Sequence, residues 1–100
     1  MIFIIQLVYI KEGQEKVFDQ FEEIAIPAIS KYNGKLLLRL RPDENNFIEY
    51  HIEEPYEIHI ATFATEQVFE NFKHDEDRKK FLHLKEQSIK SLLIIKGSKE

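Results

Sequence analysis

Residues 35–63 read KLLLRLRPDENNFIEYHIEEPYEIHIATF, and this stretch decides the fold. Lys35 to Arg41 alternates, with Leu36, Leu38 and Leu40 on one side and Lys35, Arg39 and Arg41 on the other. Phe47 to Ile52 repeats the pattern, placing Ile48, Tyr50 and Ile52 opposite Glu49 and His51. Tyr56 to Phe63 does so again, with Tyr56, Ile58 and Ile60 opposite Glu57 and His59. Successive side chains on a strand point to opposite faces, so a period of two predicts three strands. Pro42 to Asn46 and Glu53-Glu54-Pro55 carry the turn residues between them. Strands joined by such short links pair antiparallel.

On the amino-terminal side, residues 2–10 are rich in Ile, Val, Phe and Tyr without alternation, which predicts a central strand covered on both faces. Gly13 ends it. From Gln14 to Tyr32 the apolar residues Val17, Phe18, Phe21, Ile24, Ala25, Ala28, Ile29 and Tyr32 recur at helical spacing. Pro27 lies inside this helix and should kink or split it. Asn33-Gly34 predicts a stop, with Gly34 as the left-handed C-cap. On the carboxyl-terminal side, Thr65 is an N-cap candidate for a helix bearing Val68, Phe69 and Phe72. The His74-Asp75-Glu76-Asp77 run marks a break and a fresh helix start, and Phe81, Leu82, Leu84 and Ile89 give its continuation an apolar side. Leu92 to Ile95 is a last short strand before polar residues. The order β, α, β, short β, β, α, β predicts an α+β, ferredoxin-like βαββαβ fold with helices on one face of an antiparallel sheet. Residues 1–97 form one domain and 98–100 a polar tail.

Bulk properties narrow the function classes. A chain of 100 residues with 43% hydrophobic residues suits one small domain, whose surface is large relative to its core. Burying more apolar area by self-association suits such a chain, and a homodimer is expected. A net charge of −4 argues against nucleic acid as a partner. The absence of cysteine excludes disulfides, thiolate nucleophiles and zinc–cysteine sites. The apolar opening run is too short to span a bilayer and lacks the basic and small-residue flanks of a leader, so the expectation is a cytoplasmic protein with no membrane partner. The four histidines show no metal-like spacing, and no phosphate loop or nucleophile elbow occurs. Neither metal nor cofactor is expected.

Strand parity supplies the candidate site. Lys35, Arg39, Arg41, Glu49, His51, Glu57 and His59 all carry odd numbers, so they should share the face turned away from the helices, with Leu38 and Phe21 in the core on the other side. A hairpin centred on Glu54 sets Glu49 opposite His59 and His51 opposite Glu57, each pair contributing about 0.2–1 kcal/mol. Arg39, Glu49, His59, Tyr9, Leu37 and Phe63 are the expected ligand-binding residues. Arg39 would hold an anionic oxygen, and His59, oriented by Glu49, would move a proton and is the catalytic candidate.

Three stretches carry a wider resemblance: FEEIAIPAISKYNGKLLLRL from Phe21 to Leu40, PYEIHIATFATEQVFENF from Pro55 to Phe72, and the helix-to-strand passage from Leu84 to Gly97. Together they resemble an uncharacterised bacterial family of unknown function in the dimeric α+β barrel superfamily. The resemblance implies a homodimer whose two sheets face each other around a small cavity. Superfamily relatives include cofactor-free monooxygenases, haem-degrading enzymes, muconolactone isomerases and chlorite-dismutase-type proteins, and fold alone does not choose among them. Two readings remain: a homodimer binding a small organic molecule, with or without cofactor-free catalysis, and a non-catalytic assembly module whose polar sheet face only makes the dimer.

Overall fold

The computed structural model describes residues 1–98. Strand β1 (Ile2–Ile10) leads to helix α1 (Glu15–Lys31), strand β2 (Lys35–Leu40), a 3₁₀ turn (Glu44–Asn46) and strand β3 (Glu57–Phe63). Helices α2 (Glu66–Lys73), α3 (Glu76–Lys80) and α4 (Leu82–Ser88) precede strand β4 (Ile89–Ser98). The four strands form one antiparallel sheet in the order β2-β3-β1-β4, with the helices on one face. This is the ferredoxin-like α+β arrangement expected from the alternation of elements. Strand β4 runs from Ile89 to Ser98, opposite Ile2, so it is longer than expected and takes in Ser98, the first residue of the expected polar tail. Lys99 and Glu100 lie outside the described residues.

Helix α1 buries Phe18, Phe21, Glu22, Ala25, Ala28 and Ile29, a stripe at three- and four-residue spacing. Phe18 and Phe21 are almost wholly enclosed, each contributing about 1.5–3 kcal/mol through burial. Pro27 does not split the helix, which runs unbroken to Lys31. Pro27 and Glu23 are both on the solvent side, so the hydrogen bond that proline removes lies on the exposed face of the helix. The stop differs in detail from expectation. Asn33, not Gly34, is the left-handed residue, with φ 56°. Asn33 N–H donates to Ser30 O at 3.1 Å and Gly34 N–H to Ile29 O at 3.0 Å, the two bonds of a Schellman motif. Gly34 is glycine because of packing: a Cβ there would come within 2.6 Å of Phe63 and 2.8 Å of Ile29. Thr65 caps α2 as expected, accepting from Val68 N–H, and the fresh helix start within 74–77 is capped by Asp75, which accepts from Arg78 N–H.

Two expectations about the strands are overturned. Residues 47–52 form no strand. They lie in a loop in which Ile48, Tyr50 and Ile52 are exposed, because β2 pairs directly with β3 and leaves no sheet edge between them. The facing of β2 and β3 is also the reverse of that expected. Ala61 and Phe63 belong to the core cluster with Ile4, Ile29 and Phe69, so Glu57 and His59, of the same parity, also face the helices. A bulge between Leu36 and Leu38 turns β2 over, as one extra residue must. Leu36 packs against the core, whereas Leu38 and Leu40 turn to the open face and Arg39 turns inward beside His59. Leu38 is therefore 40% exposed rather than buried; Phe21 is buried as expected, at 2%.

The open face is consequently apolar. Register places Leu38, Ile60, Ile5 and Ile95 in one row across the sheet and Leu40, Ile58, Leu7 and Leu93 in the next.

Candidate functional site

The centre of the site is Glu57, at the start of β3 and only 1% exposed. A carboxylate so placed must be paired, since an isolated buried charge costs several kcal/mol. Arg39 Nε donates to Glu57 Oε2 at 3.0 Å and Arg41 Nε donates to Oε1 at 2.8 Å. His59 Nε2, two residues along the same strand face, meets Oε2 as well. Asp19 of α1 contacts Arg41 and, at 3.9 Å, Arg39. Burial alone pushes the Glu57 carboxyl up, but the hydrogen bonds from His59, Arg39 and Arg41 prevail and hold it down at about 2. Glu57 is thus a fixed negative charge that orients the imidazole.

Glu22 faces this group from α1. It occupies an apolar stripe between Phe21 and Ala25, and burial pushes its carboxyl up despite the attraction of His59. Two carboxyl groups near one imidazole thus have opposite tendencies: Glu57 stays ionised and Glu22 is drawn towards its neutral form. Oxygen and nitrogen atoms of Glu22, Glu57 and His59 lie within 4.8 Å of one another, a spacing that a divalent ion could use. Both Glu57 oxygens are already engaged by guanidinium groups, however, so the charge balance does not favour a cation.

A cavity of about 60 Å³ opens beside the group, between the sheet and the helices. Gln6, Glu22, His59, Arg78 and Lys85 supply its polar lining, and Phe21, Ile29, Phe63, Phe69 and Phe72 are among its apolar walls. The Arg78 guanidinium lies 5.7 Å from the Phe21 ring centre and 5.3 Å from that of Phe72, and burial pushes its pKa down.

The expected site is therefore rearranged. Arg39 and His59 do come together, but through Glu57 and under helix α1 rather than on the sheet face away from the helices. Phe63 lines the same cavity. Glu49 lies exposed in the loop with His51 as its neighbour, because no strand forms there to carry it opposite His59. Leu37 is exposed at the bulge, and Tyr9 is buried with a parity opposite to that of Val8, which lines the cavity. Sequence reasoning missed Glu22, Gln6, Arg78 and Lys85. Two signals were available: Glu22 interrupts the apolar stripe of α1, and Gln6 is the one polar residue between Ile2 and Ile10.

Fold and site define a class: a ferredoxin-like α+β protein with a buried acid–imidazole group between its sheet and its helices. Among solved structures the chain resembles a protein of unknown function from Rhodopseudomonas palustris, with a TM-score of 0.79 and 13% identity over 95% of this chain and 78% of that one. It also resembles an uncharacterised NIPSNAP domain protein from Burkholderia xenovorans, with a TM-score of 0.71 and 9% identity over 100% and 95% of the two chains. A third similar structure, from Bacteroides fragilis, is a dimeric protein of unknown function with a ferredoxin-like fold, with a TM-score of 0.68 and 10% identity over 96% and 93%. No family model matches the chain, and no curated protein does. At these identities the likeness establishes the fold. No helix among the described residues is long and apolar enough to cross a membrane.

Proposed function

We infer that this chain binds a small organic molecule in the cavity between sheet and helices and moves a proton on it without a cofactor, as a homodimer joined through its open sheet face. The observation that carries this reading is the presence, in one cavity, of a carboxyl drawn towards neutrality and an imidazole held by an ionised carboxylate. Carboxyl groups pushed apart in pKa at one site are the arrangement that general acid–base chemistry requires. Glu22 is suited to donate a proton and His59 to accept one. Arg39, with Arg41, would fix the Glu57 carboxylate behind the imidazole. The cavity volume supports chemistry on a small molecule, since pockets for larger ligands run to about 300–1,000 Å³.

The homodimer is supported by the two apolar rows on the open face, too large a patch to leave in water, and by the dimeric description of the Bacteroides fragilis protein that shares the fold. The same rows favour the second reading, an assembly module without chemistry, in which the inner polar group only steadies the sheet.

Proton exchange separates the two. The protein is incubated in D₂O with a panel of small carbonyl compounds, and loss of their C–H signals is followed by NMR. Exchange of at least one compound by the wild type, abolished in His59→Ala with the fold retained, is the expected result. No exchange across the panel, or exchange unchanged in His59→Ala, would leave the assembly module as the function.

A further inference from the structure

The cavity holds more positive charge than its own residues neutralise. Arg78 enters it from α3 and Lys85 from α4. Neither forms an ion pair among the described residues, although the chain carries 18 acidic side chains. Arg78 Nη1 donates to Lys73 O at 2.9 Å, which positions the guanidinium between Phe21 and Phe72. Its Nε–H is buried without a hydrogen-bond acceptor among the described residues. A buried donor left unmatched is destabilising, and a native structure seldom carries one without a use. Lys85 is partly buried near Arg78 and repelled by it. Of the carboxylates near them, Glu22 is drawn towards its neutral form, Asp75, which also acts on Arg78, is paired with Lys31 at 2.7 Å, and Glu57 is taken up by Arg39 and Arg41.

We propose that Arg78 and Lys85 form an anion-holding subsite, and that the molecule bound in this cavity is a short organic carboxylate. This deepens the reading given above and rests on it for the chemistry, though not for the binding. The geometry sets the class. Guanidinium and ammonium groups together favour a carboxylate or similar oxyanion. The phenylalanine walls exclude a fully hydrated inorganic ion and offer contact to a short carbon chain. A volume of about 60 Å³ admits about five water-sized groups, enough for the carboxylate and a chain of two or three further atoms. With its carboxylate on Arg78 and Lys85, such a molecule presents its carbon chain towards Glu22 and His59.

The test uses the full chain, labelled with ¹⁵N, and two matched probe series: acetate, propionate and butyrate, and the corresponding neutral amides. Binding is read from the Arg78 Nε–H signal and the backbone amides of α3 and α4, at constant chloride. The expected result is saturable binding of the carboxylates, with the amides at least about tenfold weaker, the loss that follows when one charge-assisted contact is missing. Arg78→Gln and Lys85→Gln should each weaken carboxylate binding about tenfold. Because Arg78→Gln could disturb α3, Lys85→Met serves as the second variant, and retained chemical-shift dispersion certifies its fold. Equal binding of amides and carboxylates, absence of saturable carboxylate binding, or full affinity in Lys85→Met and Lys85→Gln would each overturn the subsite. Carboxylate binding in a protein that exchanges no C–H proton would sustain the subsite and defeat only the catalytic reading.

Discussion

Glu57 and Glu22 share one buried group, yet they should respond to acid in opposite senses. Glu57 has a folded pKa of about 2 against an ordinary value of 4.5, so the unfolded chain binds its proton first as the pH falls. Its stabilising effect is therefore fully present above pH 4.5 and is lost as the pH drops towards 2. Glu57→Gln should remove it at neutral pH and leave Arg39 and Arg41 without their acceptor. A loss of roughly 3 kcal/mol is expected in urea unfolding at pH 7, the low end for a broken buried pair because both guanidinium groups reach water. In acid, mutant and wild type should converge. Glu22 has a raised folded pKa, so the folded state holds its proton more tightly, and stability falls as the pH rises from 4.5 through the folded value. Glu22→Gln should raise the urea midpoint at pH 7 and leave it unchanged at pH 4. A lower midpoint at pH 7 would show Glu22 to be a stabilising partner of His59. At this scale the sequence was half legible. His59 and Arg39 stood out as polar residues among strand apolars, but their anchor did not. That Glu57 and not Glu49 holds the imidazole depends on whether residues 47–52 form a strand, which local alternation cannot decide.

Elements were more legible than their facing. Helix α1, the Thr65 cap, the helix start within 74–77, and strands β1, β2 and β3 fall where periodicity and capping chemistry put them, because those signals are local. Facing is not local. In β3 the even positions Ile58 and Ile60 look like core, and the odd positions Ala61 and Phe63 equally so; only the helix above decides which set is inside. In β2 the bulge at Leu37 changes parity within the strand, and nothing in KLLLRL distinguishes the extra leucine. The segment 47–52 alternates well, yet β3 pairs with β2 directly and so does not form the hairpin with it. One prediction belongs here. Gly34→Ala places a methyl group against Phe63 and Ile29, which line the cavity, at a junction already fixed by the Schellman bonds. A loss of about 1–3 kcal/mol is expected from overpacking, read from the thermal midpoint. Asn33→Gly should be neutral or mildly stabilising, because glycine adopts the left-handed backbone without strain.

For the whole molecule the open face governs. Leu38, Ile60, Ile5 and Ile95, with Leu40, Ile58, Leu7 and Leu93 beside them, carry no charge that would keep two copies apart. Light scattering should give a dimer across the micromolar range, with a buried area above roughly 1,000 Å². Leu38→Glu combined with Ile95→Glu should yield a folded monomer with unchanged far-ultraviolet circular dichroism; a persistent dimer would locate the contact elsewhere. The sheet order carries one further consequence, and it concerns time. β1 lies at the centre of the sheet, with apolar residues on both faces, and it leaves the ribosome before either of its partners. β3 begins at residue 57 and β4 at residue 89. At about 5–20 residues per second, β1 waits some seconds for its first neighbour with both hydrogen-bonding edges open. The strand that makes the finished sheet coherent is thus the nascent chain's most adhesive segment, and slower elongation between β1 and β3 should increase its demand for chaperones.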